Sequence, residues 1–510
     1  KQIEIDMSTS HTETVDVPSF WTKGLVRNID TSTDYYKIQD AIDNASAGDT
    51  LHVWAWTYYE NIEIDEELTV IGNGTGNTTI NGTDSDVVFV KAENIKLSNL
   101  RIISGYDGIE VQSNNEDITI DNIVIINCDN NGIIIGDNVD NLIIKNTSIY
   151  SVADRGIKIG TDGDSPLLSN ILVNGAKAGI DIYSSGNGAS DIKIENSTIE
   201  NIFCSGECTG VVGGFAIYAA GDNTFIYSNN LNNNSHGGIY YANGNENTRI
   251  IKNIIIDNGG SGIWASDDRI QFMDNTISYN DYGLLLHYSD YFKLINNTIE
   301  NNDEIGLLIE NDSDYGKLWN NTIKSNDDYD IKIEDYSSPF SINTLFGSIF
   351  VDSNSVMITQ EYFVLDVNDA SGDNMSGIDI KVMENDVQKY ATSYFGGSDS
   401  KTDTYGTIAT FLINHKIYDG SSTPTTIPTY VSGRSHDWVE IFTSDPSSTI
   451  QITVPDLRVQ NTRTGILTYN IQTSIDDANS GDTIRAWAGT YYENLEIEEE
   501  ITIEGNGTST

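Results

Sequence analysis

Carboxylates dominate the side chains that could do chemistry. Asp162 and Asp164, Asp267 and Asp268, Asp312 and Asp314, and Asp327 and Asp328 stand one or two residues apart. A carboxylate pair runs general acid–base chemistry when a defined separation keeps one member protonated near neutral pH. Sequence displays neither the separation nor the shift, so these pairs nominate no catalytic residue. Oxygen ligands clustered on turns do suit Ca2+. Asp162-Gly163-Asp164, and Asp366 with Asp369 in the stretch that ends at Asp373, are therefore the expected structural Ca2+ sites, and no other cofactor is required. Cys204 and Cys208 stand four apart in a Gly-rich stretch, where a small loop disulfide is expected. A metal reading of that pair lacks a nearby His or third Cys. Cys128 reads as a packed thiol. Asn-x-Ser/Thr acceptors are frequent, and Asn73, Asn77 and Asn81 are the glycosylation candidates.

Lys and Arg number 27 against 76 Asp and Glu, a formal net charge of −49 on 510 residues. That charge argues against nucleic acid, anionic membrane and polyanionic polysaccharide as partners unless metal ions bridge them. It fits a salty extracellular setting, or serves solubility alone. The longest nearly apolar run, Val211 to Ala220, is far short of the roughly 20 residues a spanning helix needs. The chain begins at Lys1 without a signal peptide and reads as a mature protein or a fragment.

A small–apolar–x–apolar element begins at Gly108, Gly132, Gly156, Gly179, Ala216, Gly238, Gly262, Gly283, Gly306 and Asp330. Its steps are 24, 24, 23, 37, 22, 24, 21, 23 and 24 residues. An asparagine column keeps the same period at Asn99, Asn122, Asn146, Asn170, Asn196, Asn229, Asn253, Asn275, Asn297 and Asn321. Both columns lengthen across Ser197 to Gly214, an inserted loop that holds the two nearby cysteines. Three short strands in about 23 residues leave room only for tight turns, so each strand must pair with its counterpart one repeat away. The expected fold is all-β: a parallel β-helix of about ten coils between Gly72 and Ile333, rising about 4.8 Å per coil, with a ladder of stacked asparagine amides.

These N-x-T-I and G-I-x-I elements resemble right-handed parallel β-helix proteins of the pectate-lyase-like superfamily, from about Asp49 to Ile349. The nearest likeness is to repeats of secreted surface proteins and of nitrous-oxide-reductase maturation proteins. Enzymes of the superfamily would imply Ca2+-dependent lyase chemistry, or a hydrolase with three aspartates and G-H-G and R-I-K motifs. His236-Gly237-Gly238 and Arg249-Ile250-Ile251-Lys252 echo the latter. Ser235 replaces the first glycine, an extra Ile splits the second motif, and the two lie 13 residues apart rather than one coil. They read as solvated turn residues.

A short helix over Tyr36 to Ala45, with Ile38, Ala41, Ile42 and Ala45 on one face, is expected to cap the solenoid. The opening segment returns 433 residues later, pairing Gly48-Asp49-Thr50 with Gly481-Asp482-Thr483 and Trp54 with Trp487. Residues 351–455 lose the period and alternate as antiparallel strands. There Gly372 to Gly377, and Thr402-Asp403 with Gly406, resemble carboxypeptidase-regulatory-like or immunoglobulin-like β-sandwich modules. The expected organisation is the end of a sandwich over 1–23, a capped β-helix over 24–350, a sandwich over 351–455 and the start of a second β-helix over 456–510.

The third residue of the repeated element points outward. Its column reads Glu110, Ile134, Lys158, Asp181, Tyr218, Tyr240, Trp264, Leu285, Leu308 and Lys332. Five consecutive coils, Tyr218 to Leu308, thus present large apolar side chains. This stripe is the expected docking face for neighbouring copies or surface proteins, or for sugar rings of a polysaccharide on Tyr240 and Trp264. The expected function is an extracellular, non-catalytic structural or adhesive protein of a cell-surface stalk, layer or fibre. A polysaccharide lyase or hydrolase, or a carbohydrate-binding array, is the alternative.

Overall fold

The computed structural model describes residues 24–182, 190–204, 213–242, 247–363, 376–421, 423–435, 438–440, 459–468, 471–487 and 493–505, together with 365, 367 and 491. Two compact units divide the chain. The first is a parallel solenoid. One of its faces is a sheet of 13 parallel strands, from Ile62–Ile64 to Ile349–Val351, each paired with its counterpart one coil away. The strands form because apolar residues alternate across the pleat. Ile109, Ile133, Ile157, Ile180, Ile217, Ile239, Ile263, Leu284, Leu307 and Ile331 stack inward without exposure. Each buried side chain of this size contributes about 2 kcal/mol.

The solenoid has more coils than the ten read from the repeat: among the described residues this one sheet already carries 13 strands. Strands Ile62–Ile64 and Val88–Val90 follow Asn61 and Val87 instead of the small residue, so the pattern skips them, and Ile349–Val351 lies past the expected end at Ile333. The small residue has a steric origin. A Cβ on Gly132 would lie 2.6 Å from the Gly156 carbonyl oxygen of the next coil and 2.6 Å from a methyl of Ile149.

The single asparagine column is two adjacent columns. Asn99, Asn122, Asn146, Asn170 and Asn196 occupy a left-handed turn position, φ 52–60°. Ser228, Lys252, Asp274, Asn296 and Asn320 continue it. Asn229, Asn253, Asn275, Asn297 and Asn321 sit one residue later, pointing inward and buried. Asn229 donates its amide to the Ile194 carbonyl at 3.0 Å and to Asn253 Oδ1 at 3.0 Å, while its backbone N–H reaches the same oxygen at 2.9 Å. The pattern recurs down the column. A second buried ladder, Asn234, Asn258, Asn280, Asn302 and Asn326, closes the other end of the same strands. Both amide protons and both lone pairs of an interior member are used, which is what makes burying an amide tolerable. The shift between columns was hidden because the inserted loop falls between Asn196 and Asn229.

The cap helix is shorter than expected, Ile38–Ile42, with Ile38, Ala41 and Ile42 buried. The Glu60 carboxylate accepts the N–H groups of Ile38 at 2.9 Å and Gln39 at 3.1 Å, fixing where the helix starts.

In the second unit, Met357–Phe363 pairs antiparallel with Phe411–Tyr418, and Asp379–Glu384 pairs antiparallel with Val387–Ala391 and Thr429–Ser435. Phe363, Ile380, Val382, Tyr390, Ile413 and Val431 share one apolar cluster. Further on, strand Val459–Asn461, helix Ile471–Asp476 and strands Thr483–Ala486 and Thr502–Gly505 repeat the order of Val26–Asn28, Ile38–Ile42, Thr50–Val53 and Thr69–Gly72. The cap contact is repeated too, with Glu493 accepting from Ile471 and Gln472 at 2.8 Å each. Residues 1–23 lie outside the described ones.

Candidate docking face and acidic sites

The outward column is in register along the whole sheet. Tyr218 pairs with Tyr240, Tyr240 with Trp264, Trp264 with Leu285 and Leu285 with Leu308. Parallel pairing without a register slip forces successive outward rings to lie over one another. Tyr218 and Tyr240 stack with centroids 4.9 Å apart and planes 6° apart, and Tyr240 and Trp264 at 4.4 Å and 3°. Phe215 meets Tyr240 edge-on at 5.5 Å, and His287 lies 5.7 Å from Trp264. The faces of Tyr240 are therefore occupied by Tyr218 and Trp264, which leaves ring edges for a partner. Tyr218 and Leu308 are buried, while Tyr240, Trp264 and Leu285 are half-buried. Burial pushes the Tyr240 phenol up.

A more exposed set of aromatic residues, not among those expected from the sequence, lies in the turns of the later coils. His287 touches Tyr288 edge-on at 4.4 Å, and Tyr291 stacks on Tyr315 at 5.0 Å. Tyr288, Tyr291, Tyr315 and Tyr336 are 50–63% exposed and all have left-handed backbones, φ 49–66°. Earlier coils place Asn141, Ser165, Asp191, Asn223 and Asn247 at the turn position of Tyr291 and Tyr315, and Asp312 holds the position of Tyr288 and Tyr336. Asn and Asp tolerate this conformation and bulky side chains do not. A tyrosine at each of these turns was the legible signal.

Among the described residues, one group of three carboxylates lies within 4.8 Å: Asp86, Asp107 and Glu110. Asp86 and Asp107 lead into consecutive strands of the 13-stranded sheet, and Glu110 is in the outward column. Asp107 is 4% exposed and accepts the Asn131 N–H at 2.7 Å. Burial pushes the Glu110 carboxyl up to about 7, and the hydrogen bond and charge of Asp86 add to it, followed by the charge of Asp107. The group can share a proton or hold a divalent cation. Asp86 and Asp107 are 21 residues apart, one coil, a spacing legible in the sequence.

Residues 69–215 and 213–371 match the family described as right handed beta helix region. The chain belongs to that family. A cell surface glycoprotein of Methanothermus fervidus is 32% identical to this β-helix chain over 90 residues, 17% of this chain and 15% of that protein. The match thus spans far less than two thirds of that relative. Among solved structures, the A-module of the Azotobacter vinelandii mannuronan C-5 epimerase AlgE6 is 17% identical with a TM-score of 0.41, covering 62% of this chain and 93% of that one. The Dettilon tailspike protein is 11% identical with a TM-score of 0.37, covering 78% and 74%.

The remaining expected sites of this β-helix protein are placed as follows. Asp162 and Asp164 are both exposed on one turn. Asp164 Oδ1 accepts the Ser190 hydroxyl at 2.6 Å, and the Asp164 N–H reaches Asp140 Oδ1 at 2.9 Å. Asp366 and Asp369 lie outside the described residues. Cys204 is disulfide-bonded and Cys128 is free and buried, while Cys208 lies outside the described residues. Asn73 and Asn77 are exposed and Asn81 is half-buried. Asn77 donates to the Asn73 carbonyl at 3.0 Å.

Proposed function

We propose that this chain is a non-catalytic structural protein of a cell surface, built from β-helices that alternate with β-sandwich modules. The observation that carries the reading is the apolar outward column, Tyr218 to Leu308, which reaches the exposed Tyr288 through His287, on a chain of net charge −49. Charge alone keeps the rest of such a surface solvated and self-repelling. The partner is a neighbouring copy or another surface protein, because stacked rings offer edges rather than the open faces a sugar would cover. The antiparallel core around Phe363 and Val382 is read as the sandwich module, and residues 459–505 as the opening of a second β-helix. Structural Ca2+ at Asp162 and Asp164, and glycans on Asn73 and Asn77, complete the proposal. Light scattering of the full chain tests it. Self-association or capture of a surface partner should weaken in a Tyr240→Ser, Trp264→Ser double variant, and an unchanged result ends this reading.

A second reading is favoured by one observation, the raised Glu110 carboxyl beside Asp86 and Asp107. A carboxyl of raised proton affinity beside further carboxylates is the acid–base arrangement of polysaccharide-cleaving enzymes. Incubation with a panel of neutral and uronate polysaccharides, scored for new reducing or unsaturated ends, decides between the two.

A further inference from the structure

Apart from the asparagine ladders, two apolar columns of the solenoid interior are interrupted at one corner. The buried position just before the strands Lys193–Glu195, Phe225–Tyr227, Arg249–Ile251, Gln271–Met273 and Lys293–Ile295 reads Ile192, Thr224, Thr248, Ile270 and Phe292. The inward position on the facing sheet reads Ile182, Ala219, Tyr241, Ala265 and Leu286 on the same coils. Two threonines and a tyrosine thus interrupt two apolar columns at one level, and all three are unexposed. Asp267, 4% exposed, joins them.

Asp267 occupies a slot that serine fills on later coils. Its N–H donates to Ser289 Oγ at 3.2 Å, Ser289 N–H to Ser313 Oγ at 3.0 Å, and Ser313 N–H to Ser337 Oγ at 3.1 Å. Neither carboxylate oxygen of Asp267 has a hydrogen-bond partner. The neighbouring hydroxyl protons are committed elsewhere. Thr224 donates to the Gly221 carbonyl at 2.8 Å, Tyr241 donates to the same carbonyl at 2.5 Å, and Thr248 donates to the Tyr241 hydroxyl at 2.5 Å. Burial, with the charges of Asp268 and Asp222, raises the proton affinity of the carboxylate, and the nearby Thr248 hydroxyl and Asp268 N–H offset this only in part. An ionised carboxylate buried without donors is costly, and a bound cation removes that cost.

We infer that this corner binds a hard metal cation of the Ca2+ class, with the Asp267 carboxylate as the charged ligand among the oxygens of Thr248, Tyr241 and Asp222. The site is distinct from the turn aspartates Asp162 and Asp164, and it does not depend on the proposed surface role.

The test uses the full chain stripped with a chelator, and Ca2+ alone as probe. Ca2+ should raise the melting temperature of an Asp162→Asn chain, and adding Asp267→Asn should abolish that rise. Terbium luminescence sensitised by the adjacent aromatic rings should saturate in the Asp162→Asn chain and be lost in the double variant. Asp267→Ser, which installs the residue of the later coils, guards against a folding failure in Asp267→Asn and should behave the same way. Exposed Asp162→Asn should keep the corner-site signal. Equal Ca2+ stabilisation of wild type and Asp267→Ser overturns the inference. So does a wild type that gains nothing from Ca2+ while both variants melt higher, since Asp267 is then a protonated core acid.

Discussion

The indole of Trp264 lies flat on the phenol of Tyr240, centroids 4.4 Å and planes 3° apart. Two coils of parallel sheet hold them there, so the stack is a property of register rather than of local sequence. Replacing both rings with serine removes the stack and part of the half-buried apolar surface. A stacked pair contributes about 1 kcal/mol beyond its area. The double variant should fold with a lower denaturation midpoint and lose association by light scattering. If association persists at wild-type strength, the face is sheet packing alone.

The buried asparagine ladder should be far less tolerant than the outer column beside it. Asn275→Ala strands the Asn253 N–H and amide proton, together with the Ile250 carbonyl. Each stranded buried group costs about 1–3 kcal/mol. Asn296→Ala, one residue outside the next rung of the ladder, should cost only about 1 kcal/mol for a left-handed alanine. Urea denaturation of the two variants measures the difference, and equal losses would contradict the ladder's role.

Tyrosines in left-handed turns trade stability for exposure. Tyr291→Asn with Tyr315→Asn removes two strained positions, about 0.5–1 kcal/mol each, and one stack of about 1 kcal/mol. Stability should stay close to wild type or rise slightly, while association weakens. A loss above about 2 kcal/mol in calorimetry would mean these rings hold the turns together.

Asp267 also predicts a pH dependence in chelator. Burial pushes its carboxyl up to about 7, with Asp268 and Asp222 adding to it. The unfolded value is about 3.9. Between these values the folded state binds the extra proton, so stability is full at low pH and falls as pH rises toward 7, by about 4 kcal/mol. Asp267→Asn should flatten this descent in stability measured from pH 4 to 8. A profile identical to wild type would show that Asp267 ionises freely.

The sequence alone determined the solenoid, because a parallel stack repeats the same environment every coil and so imprints one period on the chain. The inward isoleucines, the outward order Glu110 to Lys332 and the returning opening segment at an offset of 433 were all legible for that reason. Strands lacking a small residue before them, such as Val88–Val90, escaped the pattern because Val87 stands where later coils carry glycine or alanine. Which of two neighbouring asparagine columns is buried was not legible, since Asn196 and Asn229 differ by one residue across a loop of irregular length. Tertiary structure decided that, as it decided that the Tyr240 faces are covered, that Asp86 meets Glu110, and that Asp267 reaches Thr248 and Tyr241. Each of those relations joins residues at least one coil apart around a turn. Only the lateral rotation of the coils, which no one-dimensional spacing encodes, brings such side chains together.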